Sequence, residues 1–350
     1  MLIFFQSALA KGFLMEPTNP AAWLKEKIYG YWLSQALYCA ASLNLADIIH
    51  QDGPQNFPDL AKKSNSHPRS LYRLLRLLAS ENVFKENSSG AFELTPLASL
   101  LRSDVPGSQY AMAIMSGSEH YLASSRMIDN VRTGKCAFEL QHGKPIFEFL
   151  KDHPASARVF DNAMESIHGS ETSQILQSYD FSQFNSLADI GGGNGSMLLS
   201  VLEKIPQLKA ILFDLEHVIK ATELVVNKQG VSNRCNLVAG DFFEAINVVA
   251  GAYILRHIIH DWDDEKSILI LNNIRKVIPK GGRVLVVEAV LPEGNTPHPG
   301  KMFDWIMMAI PGGLERTFAE YQELFLKSGF QIQRVIATAG LNSILEAVPI

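Results

Sequence analysis

A glycine-rich turn between a strand-like run and a helical run is the first candidate for ligand binding. Residues 187–195 read LADIGGGNG, and after Ser196 the chain continues as MLLSVLEKI. Glycines let a backbone approach a ligand closely, and the N-terminus of the following helix offers unpaired N–H groups. The turn could hold the pyrophosphate of a dinucleotide, as in a nicotinamide-dependent oxidoreductase, with Asp214 at the end of the next strand-like run on a ribose hydroxyl.

The spacing in this turn favours a different cofactor. Gly191, Gly193 and Gly195 follow the pattern G-x-G-x-G, whereas the dinucleotide pattern requires glycine or alanine at Ser196. The carboxylate of Asp189 is poorly placed beside a pyrophosphate but suits the ammonium group of an amino acid. The cofactor that combines an amino-acid end with a ribose and an adenine is S-adenosylmethionine.

Two later strand-like runs also end in reactive side chains. The segment AGDFF supplies Asp241 for an adenine amino group and the Phe242 ring to lie on the base. The segment LRHIIHDWDDE contains His257 and His260, which together with Asp261 could ligate a metal. No further ligand is evident nearby, and the acidic residues that follow are typical of a helix start, where carboxylates favour the helix dipole. A metal-free role is therefore favoured.

Six segments, in this order and spacing, resemble the plant-type, metal-independent O-methyltransferases, which include caffeic acid and acetylserotonin O-methyltransferases. They read DIGGGNG, FDLEHV, GDFF, HIIHDWDDE, VVEAVLP and GGLERT. The resemblance implies a Rossmann-like class I methyltransferase sheet of seven strands, the last hairpin antiparallel, with an α-helical, winged-helix-like N-terminal dimerisation domain. It also implies S-adenosylmethionine as methyl donor, S-adenosylhomocysteine as product, and no metal.

The resemblance assigns roles to residues at the strand ends. The matching positions in the family line the methionine end, the ribose, the adenine and the outer edge of the cofactor. In this chain the cofactor-binding residues are expected to be Asp189, Gly191, Gly193, Asp214, Leu215, Asp241, Phe242 and Arg256.

By the same resemblance, His260 is the catalytic base, and Glu288 and Glu315 are the two carboxylates that flank and orient it. Methyl transfer from a sulfonium is an in-line displacement whose nucleophile must lose its proton. A phenol with a pKa of about 10 needs help at neutral pH, and an imidazole with a pKa of about 6.5 can supply it.

The acceptor site is expected at four positions that match the family: Phe160, Met164, Asp304 and Met307. In the family the aromatic and methionine positions sandwich an aromatic acceptor. The segment AIPGGLER is one residue shorter than the plant pattern and lacks the asparagine that contacts a substrate hydroxyl there. A plant lignin precursor is therefore not favoured, and the expected acceptor is a hydroxyl of a phenolic or other cyclic secondary metabolite.

The elements that position these residues follow from the hydrophobic pattern. After Phe181, β-rich runs alternate with helical stretches, which indicates parallel strands with crossover helices. Thr317 and Glu320 have the spacing of a capping box, and QIQRVIAT and SILEAV are expected to pair antiparallel at the sheet edge. The catalytic region is expected to span residues 106–350, with a substrate-lining helical segment to residue 180 and the Rossmann-like core from 181.

Residues 15–105 are expected to form the dimerisation domain. Helical periodicity, a helix–turn–helix pattern and the short strand-like segment GAFELT predict a winged helix. Such a domain could bind DNA through Arg69, Arg73 and Arg76, which share one helical face. The almost balanced charge of this region and the leucine-rich face of the same helix favour packing or a homodimer interface instead.

Composition narrows the class further. The chain has 350 residues, 47% of them hydrophobic, and a net charge of -5. Disorder, a disulfide scaffold and a nucleic-acid partner are not favoured, and no apolar run reaches the roughly 20 residues that span a bilayer. Three widely spaced cysteines indicate a reducing compartment, the cytoplasm. No basic residue precedes the apolar run in MLIFFQSALAKGFL, so a signal peptide is not expected.

The sequence therefore predicts an S-adenosylmethionine-dependent O-methyltransferase that is a homodimer, binds a small hydroxylated acceptor, and does not act on nucleic acid or at a membrane. Three alternatives remain open. One is a carbon- or nitrogen-methylating or non-methylating relative, the second is an NAD-dependent oxidoreductase, and the third is a winged-helix regulator that senses S-adenosylmethionine.

Overall fold

The computed structural model describes residues 19–350, apart from the side chains of residues 167–170. The chain divides into two compact units, one within residues 15–170 and the other formed by residues 171–350. The segment 1–14, which raised the question of a signal peptide, lies outside the described residues. The boundary that we expect at residue 105 between a dimerisation and a catalytic domain stays a prediction.

The first unit is helical with one small sheet. The expected wing is present, since β2 pairs antiparallel with β3 and β1 adds to the other edge of β3. The strands are β1 (Gln55–Asn56), β2 (Phe84–Glu86) and β3 (Ala91–Leu94). The helices are α1 (Pro20–Ser42), α2 (Leu45–Asp52), α3 (Phe57–Lys63), α4 (Pro68–Ser80), α5 (Pro96–Ser99), α6 (Tyr110–Gly117), α7 (Glu119–Ser124), α8 (Met127–Thr133), α9 (Ala137–His142), α10 (Ile146–Asp152) and α11 (Pro154–Ser178), which continues into the second unit.

Helix α4 shows how this unit forms its core. Leu71, Leu75 and Leu78 recur at spacings of four and three and are buried. Pro68 occupies the first turn, where a missing N–H costs nothing, and the His67 side chain accepts a hydrogen bond from the backbone N–H of Ser70. The arginines at positions 69, 73 and 76 are exposed on the opposite face. The leucine face of this helix therefore serves packing, as the sequence predicts.

The second unit is a mixed sheet flanked by helices. Its strand order is β10-β11-β8-β7-β4-β5-β6, with β9 pairing with the end of β8. The strands are β4 (Ser186–Ile190), β5 (Lys209–Asp214), β6 (Cys235–Ala239), β7 (Ala252–Arg256), β8 (Arg283–Leu291), β9 (Arg316–Thr317), β10 (Phe330–Ala337) and β11 (Asn342–Pro349). The helices are α12 (Ser196–Lys204), α13 (Glu216–Lys228), α14 (Asp264–Val277), α15 (Gly300–Ala309) and α16 (Phe318–Lys327).

The sheet confirms the predicted fold class. Strands β6, β5, β4, β7 and β8 are parallel, and β10 and β11 form the antiparallel hairpin at the edge. Side chains on both faces are buried, and β8 is buried from Val284 through Ala289. Because parallel strands end at the same edge of a sheet, the segments after β4, β5, β6 and β7 meet there. All of the predicted cofactor residues lie on these strand ends or segments.

The capping box predicted at the start of α16 is confirmed. The Thr317 side chain accepts a hydrogen bond from the backbone N–H of Glu320, and the Glu320 side chain accepts one from the backbone N–H of Thr317. We expect Thr317→Ala to lower the free energy of unfolding by about 1 kcal/mol, because unpaired donors are left at the helix start. Urea unfolding measures this, with Thr317→Ser as the control that keeps the hydroxyl. Equal stability of the alanine variant and the wild type would contradict the expectation.

Candidate active site

The glycine turn after β4 encloses a carboxylate that lacks a hydrogen-bond donor. Asp189 is 3% exposed, and burial and the charges of Arg256 and Asp214 act on its carboxyl group, with no hydrogen bond among these influences. Burial raises the pKa of Asp189 to about 6, and the positive charge of Arg256 opposes this effect. Gly191 and Gly193 have φ angles of 72° and 57°, in the left-handed region that favours glycine. The turn therefore brings bare backbone next to a buried carboxylate that a cationic ligand would stabilise.

Asp214, at the end of β5, is tied to the same turn. One carboxylate oxygen accepts a hydrogen bond from the backbone N–H of Gly193 at 2.9 Å, and the other accepts one from the N–H of Leu215 at 2.7 Å. Burial is the main reason that the pKa of Asp214 is raised. The two bonds fix the carboxylate beside the glycine turn, which suits the expected ribose contact. Leu215 is exposed at this edge.

The segment after β6 places an aromatic ring next to the glycine turn. A β-carbon built on Gly191 would lie 3.6 Å from the ring of Phe242. The Phe242 ring packs edge-on against Phe243 and Trp262, with centroids 4.8 and 6.2 Å away. The Asp241 carboxylate accepts a hydrogen bond from the backbone N–H of Phe243 at 2.8 Å. The structure thus gathers the predicted adenine residues at the predicted edge.

Arg256, at the end of β7, lies within electrostatic reach of two carboxylates. Burial lowers the pKa of its guanidinium, while Asp189 and Glu171 favour the charged form. Its Nη1 donates to the Thr172 hydroxyl at 2.9 Å. Arg256 therefore connects α11 with the carboxylate in the glycine turn, a link that its predicted position at the cofactor's outer edge did not reveal.

His260 lies in a short 3-10 helix, Ile259–Asp261, directly after β7. Its Nδ1 lies 2.8 Å from Oε1 of Glu315, and its Nε2 lies 3.6 Å from Oδ1 of Asp261. Burial alone lowers the pKa of His260, but the hydrogen bond to Glu315 and the negative charges of Asp261 and Glu288 outweigh it and raise the pKa to about 10. A neutral imidazole that donates Nδ1–H to Glu315 keeps its lone pair on Nε2.

Glu288 holds the backbone of this segment and not the imidazole ring. Its Oε1 accepts hydrogen bonds from the backbone N–H groups of Ile258, Ile259 and His260, at 3.1, 2.7 and 3.1 Å. Its Oε2 accepts the hydroxyl of Tyr321 at 2.5 Å. Both carboxylates therefore contact His260, Glu288 at its backbone N–H and Glu315 at its ring, and their catalytic roles stay predictions. We call residues 258–262 the His260 turn.

Gly313 lies directly against the backbone of the His260 turn. A β-carbon on Gly313 would overlap the carbonyl oxygen of His260 and would lie 2.7 Å from the backbone nitrogen of Trp262. The N–H of Leu314 donates to the same carbonyl at 2.9 Å. Glycine at this position therefore allows the two backbones to touch, which brings Glu315 to the imidazole.

The structure also gives His257 contacts that the sequence did not suggest. Its Nε2 lies 2.8 Å from Oε2 of Glu171 and 3.2 Å from Nδ2 of Asn342, and its ring centroid lies 5.1 Å from that of His260. Its φ angle of 57° is unusual for a residue with a side chain. These contacts hold His257 beside His260. Within the described residues, 19–350, no group of three or more metal-binding side chains occurs.

The expected acceptor residues are divided between the two units. Phe160 and Met164 lie on α11 in the first unit, where they pack near Met115. Met307 and Asp304 lie on α15 in the second unit, and the Asp304 carboxylate accepts a hydrogen bond from the backbone N–H of Glu315 at 2.9 Å. Asp304 thus has a structural contact that its predicted acceptor role did not include. The acceptor roles of all four residues stay predictions.

The strand ends fit S-adenosylmethionine. The unpaired Asp189 carboxylate suits its ammonium group, the fixed Asp214 carboxylate suits its ribose, and Asp241 with Phe242 suits its adenine. The φ angle of 72° at Gly191 disfavours any side chain there, so the cradle presents bare backbone. When bound, this cofactor supplies an electrophilic methyl group on a sulfonium. Fold and site together define a class I methyltransferase.

Comparison with protein families agrees with this class. The family model for the O-methyltransferase domain matches residues 125–331, and the model for the O-methyltransferase dimerisation domain matches residues 26–104. The chain belongs to the family of S-adenosylmethionine-dependent O-methyltransferases, as its six segments predict. The methyl donor is S-adenosylmethionine.

Individual relatives cover nearly the whole chain. A phenazine O-methyltransferase of Lysobacter antibioticus is 43% identical over 93% of this chain and 96% of its own. An 8-amino-8-demethylriboflavin N,N-dimethyltransferase of Streptomyces davaonensis is 32% identical over 95% of this chain and 97% of its own. The solved structure of an O-methyltransferase from neocarzinostatin biosynthesis, with S-adenosylmethionine and 2-hydroxy-5-methyl naphthoic acid bound, superposes with a TM-score of 0.82 at 29% identity, covering 91% of this chain and 96% of that one.

The contact between Glu315 and His260 gives a testable prediction. We expect Glu315→Gln to lower the pKa of His260, because the amide oxygen still accepts the hydrogen bond but the negative charge is lost. An NMR titration of the imidazole, assigned with His260→Asn, measures this pKa. Glu323→Gln, which removes a carboxylate exposed on α16, is the matched control. An unchanged titration of His260 in Glu315→Gln would show that the carboxylate does not set its pKa.

Proposed function

We propose that this enzyme methylates a hydroxyl of an aromatic secondary metabolite with His260 as the general base and without a metal. The observation that carries the proposal is the hydrogen bond between Nδ1 of His260 and Glu315, which leaves Nε2 to accept a proton. The similarity to a phenazine O-methyltransferase supports a fused aromatic ring as the acceptor.

The raised pKa of His260 suits a phenol as the nucleophile. A base whose conjugate acid has a pKa close to that of the phenol, about 10, shares the proton nearly evenly. The neutral imidazole is then a strong base, although it forms a small share of the population at neutral pH. The base must be neutral to act, so we expect the rate to rise as the pH approaches the pKa of His260.

Nitrogen methylation is the second candidate, because one relative is a riboflavin N,N-dimethyltransferase. An aromatic amine attacks through its own lone pair and does not need to lose a proton first. The two candidates therefore differ in how strongly the rate depends on His260.

The test is methyl transfer from labelled S-adenosylmethionine to hydroxyphenazines, naphthols and the matching aromatic amines. We expect His260→Ala to lower kcat for a hydroxyl acceptor by about 100-fold to 10,000-fold, as removal of a general base does. Binding of S-adenosylhomocysteine, measured by calorimetry, is expected to be retained. His50→Ala, which changes an exposed histidine on α2, is the control.

The outcomes separate the candidates. Loss of turnover with hydroxyl acceptors and retained cofactor binding would support base-assisted O-methylation. Efficient methylation of the amines alone, with similar rates in wild type and His260→Ala, would replace the proposal with nitrogen methylation.

We propose that the partner in solution is a second copy of this chain. Helix α1 exposes large apolar side chains, which an isolated unit would leave in water: Trp23, Leu24, Ile28, Tyr29, Tyr31 and Trp32. The match of residues 26–104 to the dimerisation model supports this assignment.

We further propose that the enzyme acts in the cytoplasm on a small molecule and not on nucleic acid. Within residues 19–350, no helix has the length and apolar character to cross a membrane.

We expect Ile28→Asp to shift the enzyme towards the monomer, because it places a charge at a side chain that is 64% exposed in the single chain and that the proposed dimer would bury. Sedimentation velocity measures the distribution of species. Leu224→Asp introduces the same charge on α13, where Leu224 is 76% exposed, and serves as the control. A wild-type protein that sediments as a monomer would contradict the proposal.

A further inference from the structure

A buried guanidinium lies beneath the His260 turn. Arg316, the first residue of β9, is 0% exposed. Its Nη1 donates to the carbonyl oxygen of Ile259 at 3.3 Å, and its Nη2 donates to the carbonyl oxygen of Trp262 at 3.0 Å. Its Nε and Nη2 also donate to the Asp264 carboxylate, at 3.0 and 2.8 Å. The two carbonyl groups belong to residues on either side of His260.

Arg316 and Glu288 therefore both bind the backbone of the His260 turn, one at carbonyl groups and the other at N–H groups. The Glu288 carboxylate accepts N–H groups of the His260 turn, and the Arg316 guanidinium donates to its carbonyl groups. Strands β8 and β9 pair in parallel, with Val290 opposite Arg316, so the sheet sets the separation of the two charged residues. Charge-assisted hydrogen bonds to both its N–H and its carbonyl groups therefore restrict the motion of the His260 turn.

Arg316 is also adjacent in sequence to the residue that bonds the imidazole of His260. Glu315, which bonds the imidazole, directly precedes Arg316, which bonds the backbone of the turn that carries the imidazole. A loosened Arg316 would let the turn and Glu315 separate. The distance between Nδ1 of His260 and Glu315 would then vary, and the orientation of Nε2 with it.

We propose that Arg316 is a positioning residue for methyl transfer, which acts by fixing the His260 turn so that the imidazole stays on Glu315. The inference rests on the proposed function, because it assigns Arg316 a role only through His260. Lysine at this position keeps the charge but cannot form the planar fork that reaches both carbonyl groups. Glutamine removes the charge as well.

The experiment compares Arg316→Lys and Arg316→Gln with Arg275→Lys. Arg275 also donates to backbone carbonyl groups, those of Gly329 and Ile350, at the far end of α14, and is therefore a matched control. The measurements are kcat and KM for acceptor and cofactor, the pH dependence of kcat, S-adenosylhomocysteine binding, the melting temperature, and the NMR titration of His260.

We expect kcat to fall about tenfold in Arg316→Lys and about 100-fold in Arg316→Gln, since small displacements of a reacting group cost this much. Cofactor KM and S-adenosylhomocysteine affinity should stay at the wild-type values. The pKa of His260 should fall in Arg316→Lys, which moves the rise of kcat to lower pH. Partial activity of Arg316→Lys together with a greater loss of activity in Arg316→Gln would support the positioning role of the guanidinium.

Three outcomes would overturn the inference. One is a lower melting temperature in Arg316→Lys with unchanged kcat and unchanged titration of His260, which would make Arg316 purely structural. The second is an equal loss of kcat in Arg275→Lys. If Arg316→Gln does not fold, the lysine variant decides alone. If wild type binds S-adenosylhomocysteine but methylates no hydroxyl, the proposed function fails. The titration of His260 still tests the role of Arg316 in that case. An unchanged titration in Arg316→Lys is the third outcome, and it rejects the positioning role.

Discussion

One oxygen atom of Glu288 holds three successive backbone N–H groups, and the place of His260 depends on these hydrogen bonds. Glu288 is 0% exposed within the central sheet. A carboxylate so deep is costly to ionise without hydrogen-bond donors, and four donors surround this one. If the segment after β7 moved away, the charge would lose its donors, and that loss is costly. Because Glu288 lies in the central sheet, its hydrogen bonds fix the position of His260 relative to the sheet.

The two halves of the site use buried charge in opposite ways. Around Glu288 the donors come from the protein itself, so the charge of this carboxylate is satisfied before any ligand arrives. Around Asp189 no donor is present among the described residues, and burial makes the charged form unfavourable. A cationic ligand would relieve this penalty, which contributes to its binding. His260 is held in place in advance, whereas the glycine turn around Asp189 has binding energy still to gain.

The sequence predicts the sheet and the strand-end residues well, because alternation and glycine spacing are local signals. The family resemblance also identifies His260 and Glu315, which the structure places in contact. The roles of Tyr321 and Arg316 could not be predicted, because each acts on a segment far away along the chain. Glu288 was identified, but only the folded chain shows that it bonds backbone amides. Phe160 and Met164 also illustrate the limit, since pattern alone does not show what they face.

The backbone contact at Gly313 has a consequence for engineering. No side chain fits between this residue and the carbonyl oxygen of His260. In a saturation library across the loop, variants at this position would lose the alignment of His260 and Glu315 whatever acceptor is offered. Selections for a new acceptor would therefore yield more from libraries that leave this loop as it is.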